Sequence, residues 1–299
     1  MASLSKPMKD YLREKKLNPD ARGGNATIKA LIKRRLCLED GTLTRMGDAI
    51  AMSLLPLSKQ CFFMNVPLEE LSLDYCGSPE KAVLDYLAGL SKLAYFTENT
   101  FGVHVAQFFM FKYQYDIAIK NELNLYSIDF TANDCERKYI YDELLKNLDE
   151  KIAKVGYDTI DDNYQLIQKL NKQPKESVTI ISINLDDEGK ANVSTRELRD
   201  ENGQFIMTFF HQDVWDIEFY RNLYSALGAK FIHKLINFIV YNPYRYATGW
   251  PDILVLEEEP YFIEVKTNDR FHISQITTMP DVIDKLGIPI KCVRVKNRG

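Results

Sequence analysis

The chain has 299 residues, 45% of them hydrophobic and 27% charged, enough for two domains with cores of their own and too apolar for wholesale disorder. A net charge of −4 excludes indiscriminate binding of nucleic acid over the whole surface, although a local basic groove stays open. Five cysteines (Cys37, Cys61, Cys76, Cys135, Cys292), never in Cys-x-x-Cys spacing, fit reduced thiols and carry no zinc signature. No N-terminal signal core and no apolar run of membrane-spanning length is present, so no membrane association and a cytoplasmic location are expected.

In chain order, Thr27 to Leu36 predicts a helix, with Ile28, Leu31, Ile32 and Leu36 on one face and Lys29, Lys33, Arg34 and Arg35 on the others. Asp40-Gly41 marks a turn, and Thr44 suits the cap of a following helix. This helix, short strand and helix resemble the end of a winged-helix domain. The four cations could grip phosphates, or the module could serve internal packing. Ser78-Pro79-Glu80 opens a further helix. Pro67 to Asn121 reads as helical and aromatic, and its rings (Phe108, Phe109, Phe111, Tyr113, Tyr115) as core. Asn133 to Lys172 predicts one or two helices, Val178 to Leu185 a strand, Asp186 to Gly189 a turn and Phe205 to Phe210 another strand.

The last third reads as a helix from about Val214 to Lys234, a strand Ile236 to Tyr241, and two short strands. A helix from about Ile273 to Leu286, capped by Gly287, and a strand Ile290 to Val295 follow. The two short strands carry the chemistry. Ile253 to Leu256 is apolar on both faces, as a buried strand is. Glu264 and Lys266, two apart, share one face, with Val265 on the other. A five-residue loop, Leu256 to Pro260, pairs Val255 with Tyr261 and sets Asp252 across from Glu264; a four-residue loop would part them unless a bulge intervened. Two buried acids and an amine side by side cost stability unless a divalent cation compensates. The alternative is an exposed strand pair with Asp252 capping a turn.

Pro251-Asp252, a spacer, then Glu264-Val265-Lys266 resembles the PD-(D/E)xK nuclease superfamily. With Gly249, Asn268, Asp269 and Gln275, the pattern resembles its VRR-NUC branch, from about Trp215 to the C-terminus. One departure is Ile276-Thr277-Thr278-Met279-Pro280, where the branch usually has an aromatic and no proline. The resemblance implies that Asp252, Glu264 and the Val265 carbonyl would hold Mg²⁺ or Mn²⁺. Lys266 would stabilise developing charge or orient water, and Gln275 would position water or phosphate. A further acid from the preceding helix, Glu218 or else Asp216, would complete the metal site. Arg245, Arg270, Lys291 and Arg294, with Lys296 and Arg298, are candidates for a phosphate-binding rim.

These readings predict an α/β chain. A restriction-endonuclease-like mixed sheet flanked by helices (213–299) would follow a mostly helical region with a winged helix (1–125) and a linking region (126–212). The expected activity is metal-dependent endonucleolytic hydrolysis of DNA, with RNA the less favoured substrate and a homodimer compatible. The rival reading is a DNA- or protein-binding adaptor with a degenerate nuclease fold.

Overall fold

The computed structural model describes residues 4–97, 101–123, 135–171, 179–185, 191–197 and 216–298. The chain divides into two compact units, one of Met1–Ala106 with Asn222–Gly299 and one of Gln107–Arg221. The division falls within two helices, Phe101–Lys120 and Ile217–Val240.

The first unit opens with four helices: α1 (Lys6–Leu17), α2 (Asn25–Lys33), α3 (Arg45–Ser53) and α4 (Leu57–Met64). Tyr11 and Leu12 of α1, Leu31 of α2, Ile50 and Ala51 of α3, and Leu36 and Cys37 between α2 and α3 form one core. The expected turn is present: Gly41 adopts φ 83°, the Thr42 amide donates to Asp40 Oδ1 at 2.8 Å, and Cys37 and Leu43 make an antiparallel bridge. Thr44 caps α3, its hydroxyl accepting from the Gly47 amide at 3.1 Å.

Next come β1 (Leu68–Leu73), α5 (Pro79–Gly89) and β2 (Ala94–Phe96). Both strands interrupt text that the sequence pattern assigns to helix. They are short and lie at the two edges of a five-stranded sheet ordered β1-β7-β6-β5-β2, so their residues have no long run in which to show alternation. The centre of the sheet is β5 (Ile253–Val255), β6 (Tyr261–Lys266) and β7 (Ile290–Asn297). β5 runs antiparallel to β6 and to β2, while β7 runs parallel to β6 and β1, giving a mixed sheet. On one face α5 packs Val83 and Leu87 against Ile253, Val255, Ile263, Val265, Val293 and Val295. Removing these side chains from water, at roughly 25 cal/mol per Å² of apolar area, favours the packing of α5 on the strands.

α6 (Phe101–Lys120) leads into the second unit, which also holds α7 (Cys135–Leu145), α8 (Leu148–Ala153), α9 (Asp158–Asn171) and the antiparallel pair β3 (Thr179–Leu185) and β4 (Ala191–Glu197). The expected strand over 178–185 is β3, whereas the turn at 186–189 and the strand over 205–210 lie outside the described residues. Of the aromatic run, Phe108, Phe109 and Phe111 are core, and Phe108 stacks on Tyr220 with centroids 3.6 Å apart, whereas Tyr113 and Tyr115 are only half-buried.

α10 (Ile217–Val240) returns the chain to the first unit. It corrects the expected strand over 236–241. Leu235, Ile236, Ile239 and Val240 are all buried, and a helix buried on most sides carries no polar face to reveal its period. Gly228, at φ 72°, breaks the helix internally. α11 (Ile273–Asp281) runs through Pro280 into one π turn, Val282–Leu286, and Gly287 closes it at φ 77° as expected. Proline removes a helical amide donor, and the widened turn that follows absorbs the misfit.

Candidate functional site

The register of the two motif strands is the one that a five-residue loop dictates: Val255 pairs with Tyr261, Leu254 with Phe262 and Ile253 with Ile263. One step further, Asp252 faces Glu264. The Asp252 Oδ2 accepts a 2.7 Å hydrogen bond from the Val265 amide, which ties the acid to the end of β6. Its backbone is held from the other side, where the Thr97 amide donates to the Asp252 carbonyl at 2.7 Å and the Thr97 hydroxyl to the Pro251 carbonyl at 2.8 Å.

Glu264 is fully buried. Its Oε1 meets the Lys266 ammonium at 2.5 Å and accepts from the Gln275 amide. The Gln275 Oε1 accepts from the His272 amide at 3.0 Å, so the side chain is held at both ends and its orientation is fixed. Val265 points the opposite way, into the core beneath α5, as the alternation requires. Lys266, nearly buried, also approaches Asp269 Oδ2 at 3.4 Å and lies over the Phe271 ring. The loop that follows is anchored by the Phe271 amide, which donates to Gln60 Oε1 at 2.8 Å, and by Arg270 Nη1, which donates to the Leu54 carbonyl at 3.1 Å.

These groups border a cleft of about 520 Å³, whose lining includes Asp252, Val265, Lys266, Asp269, His272 and Gln275. Gly249, at φ 87°, makes its floor possible. A Cβ there would lie 2.3 Å from the Ser274 carbonyl oxygen, so only glycine lets the chain pass beneath the start of α11. Trp250, buried against Phe101 and Phe262 and donating from its indole nitrogen to the Tyr246 carbonyl at 2.8 Å, fixes the approach to Pro251.

The electrostatics of the pair are unbalanced. Burial, and then the charge of Asp252, push the Glu264 carboxyl up to about 8, against the pull of Lys266 and Gln275. The second oxygen, Oε2, is buried and accepts no hydrogen bond from any described residue. A buried acceptor without a donor, in a pair carrying more acid than base, is the environment a hard cation would satisfy. The donors present, carboxylate oxygens with a backbone carbonyl nearby, are the hard oxygen type that Mg²⁺ and Mn²⁺ prefer. Among the described residues no group of three or more acids, histidines or cysteines is gathered for a metal.

The remaining candidates are distributed differently. Glu218 is exposed in the first turn of α10, in the second unit, and Asp216, also exposed, precedes that helix and accepts from the Phe219 amide at 2.9 Å. Arg245 is engaged by Asp281, which also meets Arg45 at 3.2 Å and Lys285 at 3.4 Å. Lys291 pairs with Glu69 at 3.6 Å and Arg294 with Glu70 at 3.4 Å, both across the edge of the sheet. Lys29, Lys33, Arg34 and Arg35 are exposed on and just after α2.

Glu80 escaped the sequence reading. It lines the same cleft from the first turn of α5. Its place after Ser78 and Pro79 is fully accounted for by helix-start chemistry, and nothing local links it to an acid 172 positions further on.

No protein-family model matches the chain, and no curated protein matches it. Among solved structures, the fold is similar to a crystal structure of paFAN1 bound to 5′-flap DNA with a 2-nt flap and a gap. The TM-score is 0.54 at 13% identity, over 98% of this chain and 49% of that one. A second paFAN1 structure, with a 1-nt flap, gives 0.45 at 11% identity, over 97% and 46%. The chain thus spans about half the length of the protein it resembles, and it shares with it a mixed α/β fold with a helical N-terminal region. Among the described residues no helix is long and apolar enough to cross a membrane.

Proposed function

We propose that the chain is a metal-dependent nuclease that hydrolyses phosphodiester bonds in DNA, with Asp252, Glu264, Lys266 and Gln275 as its working residues. The observation that carries this reading is the convergence of two buried acids on a lysine at the wall of an open cleft, with one acid oxygen left without a donor. The nuclease-like fold supports it. The solved relative is bound to flap DNA, which favours DNA over RNA as the substrate.

Asp252, Glu264 and the Val265 carbonyl would hold Mg²⁺ or Mn²⁺; Glu80 and Asp269 are further acids lining the same cleft, and Glu218 is the further acid that the resemblance implies. When bound, such an ion lowers the pKa of a coordinated water and shields phosphate oxygens. The chain's own groups do the rest. Lys266 brings a fixed positive charge to the cleft wall, where negative charge grows as the phosphate is attacked. Gln275 donates to Glu264 Oε1 and so fixes one oxygen of that carboxylate, while Oε2 stays without a donor among the described residues. Gly249 and Trp250 hold Asp252 in register with β6. Exposed cations, Arg270 first among them, would take the flanking phosphates. Assembly as a homodimer, one subunit for each strand, is compatible with the reading.

The test is cleavage of duplex, branched and single-stranded DNA in Mg²⁺ and in EDTA, by wild type and Asp252→Ala. The reading expects cutting by wild type in Mg²⁺ alone. Equal cutting by the variant would overturn the assignment of Asp252, and no cutting of any DNA would favour an adaptor that binds without cutting.

A further inference from the structure

The N-terminal helical layer carries a surface that bond cleavage leaves unused. α1 presents Lys6, Lys9, Arg13 and Lys16 at spacings of three, four and three, which places them along one side of the helix. Lys6, Lys9 and Arg13 line a concavity of about 420 Å³ whose remaining walls are Asp10, Leu54 and Arg270. Arg270 lies four residues beyond Lys266 in the loop leaving β6, so one end of this stripe abuts the loop that follows the lysine of the cleft.

At the other end the stripe meets aromatic rings. The Lys16 ammonium sits 5.3 Å from the centroid of Phe63, which packs edge-on against Phe62 at 5.6 Å. Lys59 stands 6.0 Å from the Phe62 centroid. Phe62 is 75% exposed, more than any other large hydrophobic described, although the opposite side of α4 is buried through Gln60 and Cys61. The core of the unit therefore does not need this ring, and water does not favour it. Two acids temper the surface: Asp10 pairs with Arg13 at 3.4 Å and Asp48 with Lys16 at 2.7 Å. Lys6, Lys9, Lys59 and Arg270 add to the positive side.

We propose that this face binds single-stranded DNA, its phosphates following the α1 stripe past Arg270 while a base stacks on Phe62. The assignment rests on the nuclease reading for the identity of the polymer. It rests on chemistry for the strandedness: a row of cations ending in an open aromatic ring suits a chain whose bases offer free faces, which a duplex conceals.

The experiment uses the full chain carrying Asp252→Asn, so that nothing is cut, and fluorescence anisotropy with a labelled oligothymidylate of about 20 nucleotides and a duplex of equal length. Phe62→Ala is expected to weaken the single strand about ten-fold and leave the duplex unchanged, with Phe62→Tyr restoring affinity. Replacing Lys6, Lys9 and Arg13 with glutamine is expected to flatten the salt dependence by about 2 in slope. Unchanged affinity in Phe62→Ala, equal losses on strand and duplex, or tighter binding of oligouridylate would each overturn the proposal. So would a dimer in light scattering that Phe62→Ala dissociates, because the face would then join two copies of the chain. If wild type cuts DNA while Phe62→Ala binds normally, this inference fails and the nuclease reading stands. If wild type cuts no DNA, the nuclease reading fails whatever the anisotropy gives.

Discussion

At Glu264 a carboxylate sits in full burial with one oxygen held by Lys266 and Gln275 and the other left bare. Its carboxyl is pushed from an ordinary 4.5 up to about 8 by burial and by Asp252. Between those values the folded chain holds a proton that the unfolded chain releases. The contribution of Glu264 to stability is therefore full below 4.5 and lost as the pH rises through 8. In EDTA, the wild type should lose melting temperature relative to Glu264→Gln as the pH climbs from about 5 to about 8. Parallel melting curves for the two proteins would contradict this. Loss of Lys266 acts differently, because the ammonium donates charge and not a metal ligand. Lys266→Ala should lower kcat by a factor on the order of 100 while a Mn²⁺ titration changes little, whereas Asp252→Asn should weaken the titration itself.

Among the elements, the turn before β5 and the cap before α3 give separable tests. Gly249 combines a positive φ with a floor only 2.3 Å from a would-be Cβ. Gly249→Ala should destabilise the fold by about 1–3 kcal/mol from backbone strain, with a further steric cost, and should abolish cleavage. A variant with native melting behaviour and full activity would show that the approach is looser than this geometry. The Thr44 cap is remote from the chemistry, so Thr44→Ala should cost about 1 kcal/mol in urea unfolding and leave kcat unaltered.

The same scale explains what could be read from the residues alone. Alternation placed Glu264 and Lys266 on one face, a local property, but whether Asp252 faced Glu264 depended on a loop of five residues rather than four, which the residues left open and the pairing of Val255 with Tyr261 decides. β1 and β2 were not: each is short and lies at an edge, paired with strands far away in sequence. Residues 236–241 misled because a deeply buried helix and a buried strand both read as unbroken apolar text. Glu80 was hidden because only tertiary packing carries it to the cleft.

For the whole molecule, a chain of net charge −4 cannot draw in a polyanion through its overall field, so local cations must do it. Several basic residues of the C-terminal strand are already paired with acids, which leaves the N-terminal layer and Arg270 as the stronger candidates. Ca²⁺ should support DNA binding and not cleavage, since it fills oxygen sites without the geometry that activates water in a Mg²⁺ site. Full turnover in Ca²⁺ would contradict that expectation. The most direct test of the central claim is an anomalous difference map from a crystal soaked in Mn²⁺. The account predicts a peak within bonding distance of both Asp252 and Glu264 Oε2, in the cleft beside Lys266. A map with no peak there, or with manganese bound elsewhere and touching neither acid, would contradict it.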